Sequence, residues 1–110
     1  MVKSAYSTGK PALGVGPGNV PSYIEKTAKI KRAVNDLIVS KTFDNGMICA
    51  SEQAVNVDKE VYAEVKAEFE AHNVYFVKPN EIAKLEAVVM NEAKTAVNPK
   101  VVGHHAREIA

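Results

Sequence analysis

Cys49 is the one thiol in the chain and the residue with the most evident chemistry. A thiolate attacks carbonyl carbon or binds a soft metal, and both uses need a sulfur that is reachable and deprotonated. The surrounding Met47-Ile48-Cys49-Ala50-Ser51 follows the turn residues Asp44-Asn45-Gly46 and precedes an apolar stretch, which suits exposure at a loop apex. Free cysteine is also among the most buried residue types, so position leaves an inert packed thiol open beside a nucleophile. A thiol-based redox switch needs a resolving cysteine, and this sequence has a single one.

Other groups carry weaker signals. His104 and His105 are adjacent, so they point in different directions on a helix or strand, and His72 is remote in sequence; this spacing argues against a metal site. Gly14-Val15-Gly16-Pro17-Gly18-Asn19 superficially matches a dinucleotide-binding fingerprint, but the third glycine is missing. Proline and asparagine stand where a helix should open, so the loop reads as a shaped turn rather than a phosphate cradle. Glu60, Glu64, Glu68 and Glu70 share a segment with Lys59 and Lys66, the pattern of a solvated helix face.

The elements that must position Cys49 follow from apolar spacing. Val2 to Ser7 reads as the tail of a helix, closed by Ser7-Thr8-Gly9-Lys10-Pro11. Ser22-Tyr23-Ile24 predicts a brief strand. Ile30, Ala33, Val34, Leu37 and Ile38 fall on one helical face and predict the clearest helix, ending near Lys41 before the glycine turn. Ala54, Val55 and Val57 predict a strand, and Asp58 an N-cap for a helix with the stripe Val61, Val65, Phe69. Tyr75-Phe76-Val77 predicts another strand, Asn80 the cap of a helix carrying Ile82, Leu85 and Val89, and Val101-Val102 a last strand. Alternation of this kind predicts an α/β arrangement with a largely parallel sheet. The strands are few and short, which predicts a segment that needs a larger protein around it and is incomplete at both ends.

With 46% hydrophobic and 25% charged residues, the composition is that of an ordinary globular segment of at most one domain. A formal net charge of +1 gives no field to gather nucleic acid or anionic membrane. The apolar runs are far shorter than the roughly 20 residues that span a bilayer, and the start lacks the core of a secretion signal. A lone cysteine suits a reducing cytoplasm.

Around the thiol, Lys41-Thr42-Phe43-Asp44-Asn45-Gly46-Met47-Ile48-Cys49-Ala50-Ser51-Glu52-Gln53 resembles the catalytic-cysteine motif of the CoA-acylating aldehyde dehydrogenases. It is most similar to the aldehyde dehydrogenase half of the bifunctional aldehyde–alcohol dehydrogenases. Gly9 to Asn19 and Thr27 to Val34 agree with the same family. The resemblance is strong over the first two-thirds of the chain and looser beyond.

The resemblance implies that residues 1–110 are part of the cysteine-bearing catalytic domain, a partial three-layer α/β sheet, with the cofactor-binding domain absent. It implies Cys49 as nucleophile, NAD as cofactor and coenzyme A as co-substrate. Cys49 would attack a small aldehyde, pass hydride to NAD and hand the resulting thioester to coenzyme A, or run in reverse from acyl-CoA. The Cys49 backbone N–H would be one oxyanion donor, with a second from an asparagine N-terminal to this segment. The glutamate that activates water in hydrolytic members falls at Val15 when the sequences are aligned on Pro21. Valine accepts no proton, so the thioester would persist until coenzyme A arrives. The lone cysteine and the histidine spacing give the expectations of a cytoplasmic protein and no metal, and the full-length enzyme is expected to be a homo-oligomer. An alternative expectation is a non-catalytic fragment serving only as a folding or interaction module, and the isolated segment is expected to be inactive in either case.

Overall fold

The computed structural model describes residues 2–14, 16 and 18–110. A short helix α1, Val2–Tyr6, opens the chain, in agreement with the turn signal that closes it. Strand β1, Pro21–Ile24, is followed by α2, Ile30–Thr42, and then by β2, Ala54–Val57. The two strands pair in parallel from Pro21 opposite Ala54 to Ile24 opposite Val57, so α2 and the loop after it form the crossover that parallel pairing requires.

The stripe read from the sequence is the face α2 buries. Ile30 and Val34 are buried, while Ala33, Leu37 and Ile38 pack around them half-buried. Opposite lies α3, Tyr62–Ala71, which contributes buried Val65 with Val61 and Phe69 beside it; Ile24 and Val57 supply the sheet side. Among the described residues this is a four-residue core, Ile24, Ile30, Val34 and Val65. Burial of each such aliphatic side chain contributes about 1.5–3 kcal/mol.

Four expectations are corrected. Asp58 does not cap α3, which starts at Tyr62 with Val61 in the cap position. Its carboxylate instead accepts from the Tyr23 hydroxyl and, at 2.9 Å, from the Lys26 backbone N–H, and its own N–H donates to the Ile24 carbonyl at 3.1 Å. Asp58 thus closes the C-terminal ends of both strands, a charge-assisted set that leaves nothing for a helix end. Residues 75–77 form no strand among the described residues, since no strand lies alongside to pair with them; Phe76 meets Phe69 edge-on at 6.3 Å and lies under Lys66 Nζ.

The helix expected to start at Asn80 is α4, Ile82–Val89, capped at Glu81. There the Glu81 carboxylate accepts from the Lys78 N–H and the Tyr75 hydroxyl, both at 2.8 Å. Val101 lies in a 3-10 turn, Pro99–Val101, because Asn98 accepts from the Lys100 N–H and Pro99 presets the first helical φ. Val102 follows it as its C-cap. The last helix, α5, is Ala106–Ile109.

The fold class stands: helices on a small parallel sheet. The chain is elongated, 52 × 33 × 23 Å with a radius of gyration of 17.2 Å, against about 13 Å for a compact domain of this length. Leu13, Tyr23, Phe43, Tyr75, Phe76, Ile82 and Val97 are all exposed. That much apolar surface is what an element set has when its faces await partners.

Candidate nucleophile site at Cys49

Helix α2 ends at Thr42, where Phe43 turns to φ −55° and ψ 131°, and Asp44, Asn45 and Gly46 then take left-handed backbone angles, with φ of 51°, 52° and 75°. Asp and Asn tolerate this region better than other residues with a Cβ, and glycine adopts it freely. The 3-10 turn Phe43–Gly46 reverses the chain, and the Asn45 side-chain amide donates to the Gly103 carbonyl at 2.7 Å, tying the turn to a residue 58 positions away. Gly103, itself at φ 79°, sits so close to Met47 that an added Cβ would lie 3.0 Å from its sulfur. Sequence alone gave the turn but not this tether.

Cys49 is exposed, at the first corner of a tight turn from Ile48 to Ser51. Ser51 is buried and closes that turn twice, donating to the Ile48 carbonyl from its backbone N–H at 3.1 Å and from its hydroxyl at 2.8 Å. The turn's own hydrogen bond uses the Ser51 N–H and leaves those of Cys49 and Ala50 to other acceptors. A cleft of about 280 Å³ runs alongside, lined by Ser40, Phe43, Ile48, Ala50 and Ser51, so the residues on both sides of the thiol form its wall. Gln53 then donates to the Val20 carbonyl at 2.9 Å, which locks the loop onto the start of the sheet.

Glu52 lies inside this loop. Its own backbone N–H, and then the Ser40 hydroxyl, hold its carboxyl below the usual carboxylate range, with the Lys41 charge adding to both. The serine hydroxyl two residues after the cysteine was the only sequence signal for this arrangement, since Ser and Thr close turns of this kind through their own side chains.

The other candidates separate from the thiol. Gly14 donates its N–H to the Tyr6 hydroxyl at 2.8 Å and passes so near α1 that a Cβ would lie 2.5 Å from Val2, which fits a close-approach turn. Val15 lies outside the described residues. His72 pairs with the Glu68 carbonyl on α3, whereas His104 bonds Glu108 at 2.9 Å and holds that carboxyl low, so each histidine is used locally. No three His, Cys, Asp or Glu side chains converge among the described residues. A wider cleft of about 690 Å³ opens between residues 41–46 and 104–108, and Cys49 is not among its lining residues.

Comparison with known proteins agrees with the motif. No family model matches the chain. The aldehyde-alcohol dehydrogenase of Clostridium acetobutylicum is 54% identical over 110 residues, covering 100% of this chain and 12% of that protein. An acetylating aldehyde dehydrogenase from Geobacillus thermoglucosidasius superposes with a TM-score of 0.86 at 49% identity, over 99% of this chain and 24% of that one. A propionaldehyde dehydrogenase of Rhodopseudomonas palustris, solved with bound CoA and an acylated cysteine, gives a TM-score of 0.84 at 29% identity, over 98% of this chain and 25% of that one. The resemblance read from the Cys49 motif is therefore borne out over the whole chain. In sequence and fold it is similar to a segment of these acetylating aldehyde dehydrogenases, and it spans only 12% of the length of that curated relative.

Proposed function

We propose that this chain carries the nucleophilic cysteine of a CoA-acylating, NAD-dependent aldehyde dehydrogenase, with Cys49 forming the acyl-enzyme. The observation that carries the reading is the exposed thiol at the corner of a doubly closed turn, within a thirteen-residue motif of that family.

Attack of the Cys49 thiolate on an aldehyde carbonyl would give a hemithioacetal; a nicotinamide bound by the complete enzyme would supply the hydride acceptor, leaving the acyl group as a thioester on the Cys49 sulfur. Coenzyme A, attacking as its thiolate after losing its proton to solvent, would then displace Cys49, releasing acyl-CoA and regenerating the Cys49 thiolate. In this scheme the Cys49 N–H, which the turn does not use, donates to the developing oxyanion. A strut of short hydrogen bonds keeps the sulfur in place while charge moves, which is where positioning contributes most. NAD, coenzyme A, a small aldehyde or acyl-CoA substrate, a homo-oligomeric enzyme and a cytoplasmic location all belong to this proposal, as does the assignment of residues 1–110 to the catalytic domain.

The test is Cys49→Ala in the complete polypeptide. The expected result is loss of acetaldehyde- and CoA-dependent NADH formation to background while the fold is retained. Turnover above a small fraction of the original rate would sink the reading and favour a non-catalytic module.

A further inference from the structure

Between the end of α2 and the sheet, the backbone around Cys49 makes two successive turns. One is closed by the Met47 N–H on the Asp44 carbonyl at 3.2 Å, the other by the Ser51 N–H on the Ile48 carbonyl at 3.1 Å. Both bonds are local, so neither fixes where the pair of turns sits relative to the rest of the chain. On the N-terminal side of the thiol that is set by Asn45, whose side-chain amide donates to the Gly103 carbonyl at 2.7 Å. Met47 lies against the same glycine, close enough that a Cβ there would be 3.0 Å from its sulfur.

Gly103 is itself held. It follows the 3-10 turn Pro99–Val101, and the His104 N–H donates across it to the Val101 carbonyl at 3.3 Å. Asn98, which opens that turn, is pinned to the C-terminal end of α4: its N–H donates to the Val89 carbonyl at 2.8 Å and its side-chain amide to the Val88 carbonyl at 3.0 Å. Short turns and hydrogen bonds therefore run from α4 through Asn98 and Gly103 to the turn before Cys49. Asp44 and Asn45 hold φ of 51° and 52°, a region that residues with a Cβ seldom adopt. Such angles persist where surrounding contacts impose them, and they gather at functional sites. The amide bond to Gly103 is a contact of that kind.

We propose that Asn45 is a positioning residue for Cys49: its amide clamps the thiol-bearing turns onto Gly103, so that the sulfur is placed by the segment anchored on α4. This rests on the nucleophilic role proposed for Cys49. Asn45 touches no reacting atom in this scheme and acts through Met47 and the turn that follows. A hydrogen bond at the surface contributes little net stability, so opening the clamp displaces the sulfur without unfolding the chain.

The experiment compares Asn45→Asp, Asn45→Gly and Gly103→Ala in the complete enzyme, following NADH formation from acetaldehyde and CoA. Asn45→Asp keeps the shape and the tolerance for the left-handed angle but sets a carboxylate oxygen against the carbonyl. Asn45→Gly adopts the angle freely and removes the amide. Both are expected to lower kcat about 10- to 100-fold, with the acetaldehyde KM within about threefold, since misplacement of a reacting group by about an ångström has effects of this size. Tm should stay close to the wild-type value. Iodoacetamide should alkylate Cys49, followed by mass spectrometry of its peptide, within about threefold of the wild-type rate, because the thiol is displaced but still exposed. Gly103→Ala forces a Cβ onto Met47 at a left-handed φ and should lower kcat as well. Combined with Asn45→Gly it should lose no more than the worse single variant, because both open one clamp. A wild-type kcat in Asn45→Gly or Gly103→Ala, losses that multiply in the double variant, or a kcat that falls only in step with Tm and Cys49 alkylation would overturn the proposal. If Asn45→Asp does not fold, Asn45→Gly decides by the same readings. Cys49→Ala run alongside separates the two roles. Activity there removes the proposed function itself, whereas a dead Cys49→Ala beside a fully active Asn45→Gly removes only the role of Asn45.

Discussion

On the reading proposed here Cys49 is a nucleophile that needs a fixed loop, and three hydrogen bonds flank it: Asn45 to Gly103, Ser51 to Ile48 and Gln53 to Val20. Together they tie the residues flanking the thiol to the rest of the chain. In the proposed reaction the fate of the acyl group is decided by what can activate water. In the proposed enzyme Val15 occupies the place of the hydrolytic base, so Val15→Glu should shift products from acyl-CoA toward free carboxylate. A well-placed carboxylate contributes roughly 10²- to 10⁴-fold by general base catalysis, which sets the upper bound of the shift. The measurement is the ratio of acetate to acetyl-CoA formed from acetaldehyde as CoA is varied. Wild-type production of acetate without CoA would contradict the acylating assignment.

Among the elements, the β1–α2–β2 crossover sets the stage and Asp58 closes it. The Tyr23 hydroxyl, and then the Lys26 N–H, hold the Asp58 carboxyl below the usual carboxylate range. A depressed folded value means that the ionised group stabilises the pairing fully above the ordinary carboxylate pKa. That contribution is lost as pH falls through the lower, folded value. Protection of the β1 and β2 amides, corrected for intrinsic exchange, should therefore decline on acidification below about pH 4. Asp58→Asn should show weaker protection at neutral pH and little further acid dependence there. An unchanged acid response in that variant would mean that another carboxylate controls the junction.

The whole molecule is long and thinly packed, with four buried apolar residues carrying its described core. Hydrophobic burial of that extent offsets little chain entropy, which is why the elements hold together as one βαβ unit with outlying helices rather than as a closed globule. On the reading proposed here, the chain supplies a nucleophile loop but no cradle for a dinucleotide. Calorimetric titration of the 110-residue chain with NAD is therefore expected to show only heat of dilution, and no NADH should form on adding aldehyde and CoA. A micromolar dissociation constant, about −8 kcal/mol, would place a cofactor site in this segment and refute the reading of the glycine loop.

Local chemistry was legible from the sequence alone wherever the signal is local. The apolar stripe of α2, the turn at residues 44–46, strand β2 and the motif around Cys49 each depend on neighbours a few positions apart. The thiol's exposure was left open by position and given by the fold, because burial depends on what packs from elsewhere. Residues 75–77 and Val101-Val102 have strand-like composition, yet a strand exists only where another backbone offers hydrogen bonds, and none lies beside them among the described residues. Asp58 was read as a helix cap from its position, but tertiary folding brought Tyr23 and Lys26 to it from 35 and 32 residues away, and those charge-assisted bonds outweighed the local option.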